Sequence, residues 1–230
     1  MEIYHILNRG VDKRVIFLDN QDRARFIHDL YEFNDIENVT NTYRDFKMCD
    51  VGRHTLGIKG REKKRLVDIY LFCIMDNHYH LLLSPLVENG VSLFVKKLNG
   101  GYAKYFNEKY ERSGALFQGK YKKVIVKSNA HFMYLPYYIH FNPLDMDTPE
   151  WREKKIKNIS KAINFLDTYR WSSHLDYCGK KNFSSVIQKD FLLSVFGGER
   201  NYEKNIKEWL KNLSDLSEKK NKNMEKIILE

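Results

Sequence analysis

Three features of the sequence predict an α+β fold. Short runs are rich in β-branched and aromatic residues, amphipathic stretches at helical spacing lie between them, and only two residues separate two of the runs. In chain order the elements read strand, helix, strand, strand, helix, strand, with a further helix behind. The first six match the ferredoxin-like βαββαβ plan, a four-stranded antiparallel sheet with helices on one face. That plan hosts binders and enzymes alike, so it implies no function by itself.

The opening EIYHILNRG alternates into a glycine turn and reads as a strand. DNQDRARFIHDLYEFND (19–35) sets Ala24, Phe26, Ile27, Leu30, Tyr31 and Phe33 near helical spacing behind polar starters. Residues 36–66 are polar and irregular and run into the basic KGREKKR (59–65). That stretch reads as a solvated loop or hairpin tip, with a phosphate-backbone contact as the alternative. LVDIYLFCIM (66–75) and HYHLLLSP (78–85) are strand-like, and the intervening Asp76 and Asn77 predict a hairpin.

GVSLFVKKLNGGYAKYFNEKY (90–110) carries an apolar stripe of Leu93, Phe94, Leu98, Tyr102, Tyr105 and Phe106. Its Gly100–Gly101 pair weakens a helix by about 1 kcal/mol per glycine relative to alanine. Close approach of another backbone would account for the pair. YKKVIVK (121–127) predicts a strand, and SNAHFMYLPYYIHFN (128–142) a helix capped by Ser128 and kinked at Pro136. From about residue 144 the chain becomes charged, looser and mostly helical, ending in one or two amphipathic helices with a Lys/Asn/Glu-rich tail. The predicted division is a ferredoxin-like domain at 1–143 and a mostly helical extension at 144–230.

With 230 residues and 43% hydrophobic content, the chain can bury a sizeable core and is no disordered polymer. Lysine and arginine exceed acidic residues by 39 to 30, which favours a polyanionic partner or serves solubility alone. Cys49, Cys73 and Cys178 are few and far apart, so neither a disulfide framework nor a zinc-type cluster is expected, and a reducing compartment is. No run has the length of a membrane span, and the start lacks the regions of a signal peptide. The expected location is cytoplasmic.

Two clusters carry chemistry. Side chains alternate along a strand, so His78 and His80 share a face while Tyr79 takes the other. Two neutral imidazoles there can meet one divalent cation, or they are a satisfied core pair; a complete site needs further ligands. In YYIHFNP (137–143), Tyr138 and Asn142 stand at i and i+4 on one helical face, and Pro143 ends the helix near Asn142. They are core and cap, or a nucleophile and a metal ligand. A phenol with its ordinary pKa of about 10 needs a metal or a positive field to act as a nucleophile.

Several motifs occur in a shared order: YHILNRG (4–10), MDNHYHLLLSP (75–85), LNGGYAKYFN (98–107), GALFQGKYK (114–122), YIHFNP (138–143) and YRWSSHLDY (169–177). On these the chain resembles the single-tyrosine HUH transposases, and among them the REP-associated tyrosine transposases. The resemblance implies His78 and His80 as metal ligands, Tyr138 as nucleophile and Asn142 as a third ligand; His140 has no assigned role. It also implies Mg²⁺ or Mn²⁺, whereas imidazole ligands alone would equally suit Zn²⁺ or Ni²⁺. The activity implied is cleavage and strand transfer of single-stranded or hairpin DNA through a 5′-phosphotyrosine intermediate.

DNA contacts are expected from Arg9, Lys96, Lys97, Lys120, Lys122 and Lys123, with aromatic stacking on unpaired bases. Trp171 is expected as a buried anchor and Ser172 or Ser173 as a helix cap. His5, His28, His54, His131 and His174 lack matched partners in the sequence and are not expected to be ligands. Two other classes fit the same residues: a hairpin-binding module that does not cut, and a metal-dependent nuclease that activates water. The long tail favours a monomer over a homodimer.

Overall fold

The computed structural model describes residues 2–38 and 63–215, with side chains described through residue 212. Most of the basic 59–65 stretch, His54, Cys49 and the end of the tail lie outside the described residues.

Four strands, β1 (Tyr4–Arg9), β2 (Val67–Ile74), β3 (His78–Pro85) and β4 (Lys122–Ile125), form one sheet in the order β2-β3-β1-β4. Every neighbouring pair is antiparallel. The α+β class expected from the sequence is borne out. The β2–β3 hairpin turns through Asp76 and Asn77, closed by a Met75 N–H bond to the His78 carbonyl at 2.8 Å. Residues after β1 cover that turn: the amides of Ile16 and Phe17 both donate to the Asp76 carbonyl, at 2.9 and 3.0 Å.

Register decides which residues share a face. His80 stands opposite Leu7 and Cys73, His78 opposite Arg9, Leu82 opposite His5, and Lys122 opposite Leu7. Because paired residues in antiparallel strands project to the same side, His5, Arg9, His78, His80 and Lys122 lie on one face. Tyr79 points to the other, where α1 (Asn20–Glu32) and α2 (Gly90–Lys109) pack. Its ring lies 4.8 Å from that of Phe26, and its hydroxyl donates to Asn99 Oδ1 at 2.7 Å.

Helix α1 begins with a capping box in which Asp19 accepts from the Asp22 amide and the Asp22 side chain answers to Asp19. In α2, the glycine pair serves a side chain and not a backbone: a Cβ on Gly101 would stand 2.3 Å from the Phe33 ring, while Gly100 has open space. Helix α3 (Asn129–Phe141) starts at Ser128, whose hydroxyl accepts from the His131 amide at 3.2 Å, and it continues through Pro136.

Beyond α3, two 3₁₀ turns at Asn142–Met146 and Pro149–Glu153 lead to α4 (Ile159–Thr168), α5 (His174–Tyr177), α6 (Lys189–Phe196) and α7 (Glu199–Asp215). This part covers the β2 edge of the sheet. The Ile74 amide donates to the Trp171 carbonyl at 2.9 Å, the Gln188 amide donates to the Ile69 carbonyl at 2.8 Å, and Cys73 bridges Ser172. Such cover removes a template for strand addition. Trp171 is buried and stacks on Phe183. Ser172 accepts from the His174 amide at 3.3 Å, whereas Ser173 makes no side-chain cap and turns its hydroxyl to Phe72 instead.

Candidate active site

The centre of the site is built from β3. His78 and His80 project from one face with ring centroids 5.0 Å apart, edge to face. Burial drives both imidazoles toward the neutral form, His78 down to about 4 and His80 well below its ordinary value. Neutral imidazole is the form that offers a lone pair to a metal.

For His78, a neighbouring amide fixes which nitrogen offers it. Asn77 Nδ2 donates to the Lys13 carbonyl at 3.1 Å, which turns Asn77 Oδ1 toward His78 Nδ1 at 2.6 Å. An amide oxygen only accepts, so Nδ1 of His78 carries the proton and Nε2 keeps its lone pair. His80 Nδ1 lies 2.9 Å from His5 Nε2 in a buried pair. In the tautomer in which His80 Nδ1 donates to His5, His80 Nε2 also keeps its lone pair for a metal. His5, itself lowered to about 4 by burial and then by His131, is held neutral beside it.

The tyrosine helix crosses this same face. The Tyr138 ring stands edge-on to His80 at 5.8 Å and to His5 at 6.2 Å, all within one chain. Asn142, fully buried one turn on, donates through Nδ2 to the Tyr138 carbonyl at 2.7 Å. Its Oδ1, the atom that would ligate a metal, accepts from Arg152 at 3.0 Å.

Arg152 was not singled out in the sequence, where it sits in the charged stretch after the helix. It grips Asp145 through two bonds of 2.7 and 2.6 Å, and its guanidinium lies 5.8 Å from the Tyr138 ring centre. Burial works against its charge, but the Asp145 carboxylate more than offsets that and raises its pKa. Asp145 also accepts from the Trp151 indole at 2.7 Å. Tyr134 and Trp151 flank Tyr138, with centroids 5.7 and 6.4 Å from it. The site therefore draws on residues 145–152 as well as on the stretch before 143.

Residues 53–142 match the family model described as "Transposase IS200 like". That stretch is similar to the family over 90 of the 230 residues. A solved structure, "Structure of the REP associates tyrosine transposase bound to a REP hairpin", is similar at 13% identity and a TM-score of 0.42, covering 64% of this chain and 68% of that one. A search of curated proteins finds no match. The matched stretch contains His78, His80, Tyr138 and Asn142, while His5 and Arg152 come from outside it.

The basic residues distribute unevenly around the site. Arg9 and Lys122 are exposed on its face of the sheet, and Arg9 is steadied by a 2.7 Å bond to Gln118. Lys96 and Lys120 are exposed. Lys123 projects to the opposite face and lies 4.1 Å over the Tyr4 ring. Lys97 is committed within the fold: its ammonium donates to the carbonyls of Asp35, Ile36 and Glu37 at 2.7, 3.1 and 2.8 Å. Among the described residues no helix is long and apolar enough to cross a membrane.

Proposed function

We propose that the protein cleaves single-stranded DNA next to a hairpin and rejoins it through a covalent bond to Tyr138. The observation that carries this reading is the placement of the Tyr138 ring 5.8 Å from His80, on the sheet face that His78 shares. A phenol, two neutral imidazoles and an arginine converge there in one chain. A satisfied core histidine pair would need neither the tyrosine nor the arginine.

His78 Nε2 and His80 Nε2 would hold a divalent cation, Mg²⁺ or Mn²⁺ in this reading. Asn142 would join them only by sharing or releasing its bond to Arg152. When bound, the ion polarises the scissile phosphate and stabilises the charge on its oxygens. The Tyr138 hydroxyl gives up its proton as its oxygen attacks phosphorus, the bond to the 3′-oxygen breaks, and that oxygen takes up a proton and leaves as a hydroxyl, so no net proton is gained or lost. The new phosphotyrosine linkage keeps the energy of the broken bond, so a later 3′-hydroxyl can attack it and restore a phosphodiester.

The residues around that step have separable tasks. Arg152 supplies fixed positive charge beside the phenol and the incoming phosphate. His5 orients His80 through its nitrogen, as outer partners of metal-bound histidines do. Arg9 and Lys122 would track the DNA backbone, and Tyr134 and Trp151 offer stacking surfaces for unpaired bases.

Incubation with labelled hairpin DNA and Mn²⁺, followed by denaturing electrophoresis, tests the proposal. A protein–DNA adduct is expected, and Tyr138→Phe should abolish it. Cutting that survives Tyr138→Phe but not His80→Ala would show a water-using nuclease. Hairpin binding without cutting in any divalent metal would show a binding module.

A further inference from the structure

A second cluster of ligand-type side chains lies in the C-terminal extension. Asp167 at the end of α4, His174 at the start of α5 and Cys178 just after it bring a carboxylate, an imidazole and a thiol within 4.8 Å of one another. His174 Nε2 is 3.4 Å from Asp167 Oδ1 and 3.6 Å from Cys178 Sγ. Tetrahedral zinc with bonds of about 2.3 Å to sulfur and about 2.05 Å to nitrogen and oxygen has edges of roughly 3.6 Å for S–N and roughly 3.3 Å for N–O. The nitrogen–oxygen separation is close to such an edge, whereas Sγ also stands 3.9 Å from His174 Nδ1, beside the ring, so the Cys178 side chain has to turn toward Nε2 to complete the tetrahedron.

A buried hydrogen-bond chain runs from this cluster into the core. Ser173 Oγ lies 2.8 Å from His140 Nε2, His140 Nδ1 lies 2.6 Å from the Tyr202 oxygen, and that oxygen lies 3.0 Å from His174 Nδ1. When Tyr202 donates to His174 Nδ1, His174 Nε2 carries a proton toward Asp167 Oδ1. When His174 Nδ1 donates to Tyr202, Nε2 keeps a lone pair that a metal can take.

We propose that Asp167, His174 and Cys178 form a Zn²⁺ site, separate from the His78/His80 centre, with water as fourth ligand. A thiolate, an imidazole and one carboxylate oxygen are a donor set that zinc favours over Mg²⁺ or Mn²⁺. Lys180 holds the other carboxylate oxygen at 3.2 Å and leaves Oδ1 available. Without metal the thiol stays protonated, pushed up to about 12 by burial and then by Glu203, Asp167 and Glu199. Zinc binding releases that one proton to solvent, and nothing is oxidised. Through Tyr202 the site also reaches His140 on α3, so the metal would tie the extension to the tyrosine helix.

The site stands on its own geometry and does not depend on the strand-transfer reading. The full chain, stripped with a chelator, is titrated with Co²⁺ as a spectroscopic substitute for zinc. Thiolate-to-cobalt charge-transfer absorption should saturate at one equivalent. It should persist in His78→Ala and Cys49→Ser and vanish in Cys178→Ser and His174→Gln. In the unmodified protein, one equivalent of Zn²⁺ should slow alkylation of Cys178 by roughly tenfold or more, because the coordinated sulfur is no longer a free nucleophile. Absorption that survives Cys178→Ser overturns the site. So does alkylation of Cys178 that Zn²⁺ leaves unchanged in the unmodified protein.

Discussion

Arg152→Ala separates a structural arginine from a functional one. Its bonds to Asp145 are charge-assisted, but the Arg152 and Asp145 side chains are 41% and 31% exposed, so solvent reduces the pair to about 1 kcal/mol. Removing Arg152 also strips the partner from Asn142 Oδ1, in a fully buried residue. An orphaned acceptor costs about 1–3 kcal/mol, and water entering the vacated space holds this to the lower end. The expected loss of stability is thus about 2 kcal/mol, which a folded domain survives.

Loss of a positioned donor to transition-state charge is larger, about 100- to 1,000-fold in rate or roughly 3–4 kcal/mol. The assay measures the rate of covalent adduct formation on labelled hairpin DNA alongside the melting temperature of the same variant. Adduct formation should fall at least about 100-fold while the fold persists, with partial recovery in Arg152→Lys, which keeps the charge but not the forked geometry. A variant that melts earlier yet forms adduct at the original rate would refute a role for Arg152 beyond holding Asn142 and Asp145.

Four other outcomes are expected. His5→Phe preserves buried volume but removes the partner of His80 Nδ1, so Mn²⁺ affinity by calorimetry should weaken about 10- to 100-fold. Gly101→Ala should destabilise, because overpacking against Phe33 costs about 1–3 kcal/mol and the helix gains only about 1; in a Phe33→Ala background the sign should reverse. Burial lifts the Asp176 carboxyl to about 6 despite backbone bonds from Phe183 and Asn182, so the fold favours the protonated acid. That contribution is full below about pH 4 and is lost as the pH rises to about 6, so Asp176→Asn should melt progressively closer to, or above, the parent across that window. Mixing Tyr138→Phe with His80→Ala should restore no adduct, because each chain carries its tyrosine beside its own histidines.

The sheet and its helices were legible because period-2 and period-3.6 patterns and the two-residue link each left a local signature. Strand alternation alone placed His78 and His80 together, and the i, i+4 spacing placed Tyr138 over Asn142. His5 was legible in principle, since it alternates with Leu7 and Arg9. Using it required knowing that β1 lies beside β3 and in which register, a property of pairing and not of local sequence. Arg152 and Asp145 left no signal, because a 3₁₀ turn has no amphipathic period and WREKK looks like any solvated stretch. His174 was expected to lack partners; Cys178 lies one turn away, but Asp167 and Tyr202 reach it only through packing of separate helices. The Gly100–Gly101 pair pointed correctly to close approach, but not to the Phe33 ring that fills the space.

The packing behind α3 explains why the site should assemble within one chain. The helix buries Leu135, Tyr137, Ile139 and Phe141, each nearly inaccessible to solvent. Part of that cover comes from α7: Trp209 stacks on Tyr137 at 4.8 Å and leans on Tyr134 at 5.6 Å, while Tyr202 hydrogen-bonds His140. A helix that left to serve a partner's site would expose those apolar side chains, at about 1.5–3 kcal/mol apiece. It would also leave His140 and Tyr202 without each other in a buried setting, where each unpaired group costs a further kilocalorie or more. An exchange is neutral only if the partner offers an identical pocket, including its own α7. The C-terminal extension thus acts as a wall that the tyrosine helix is built against.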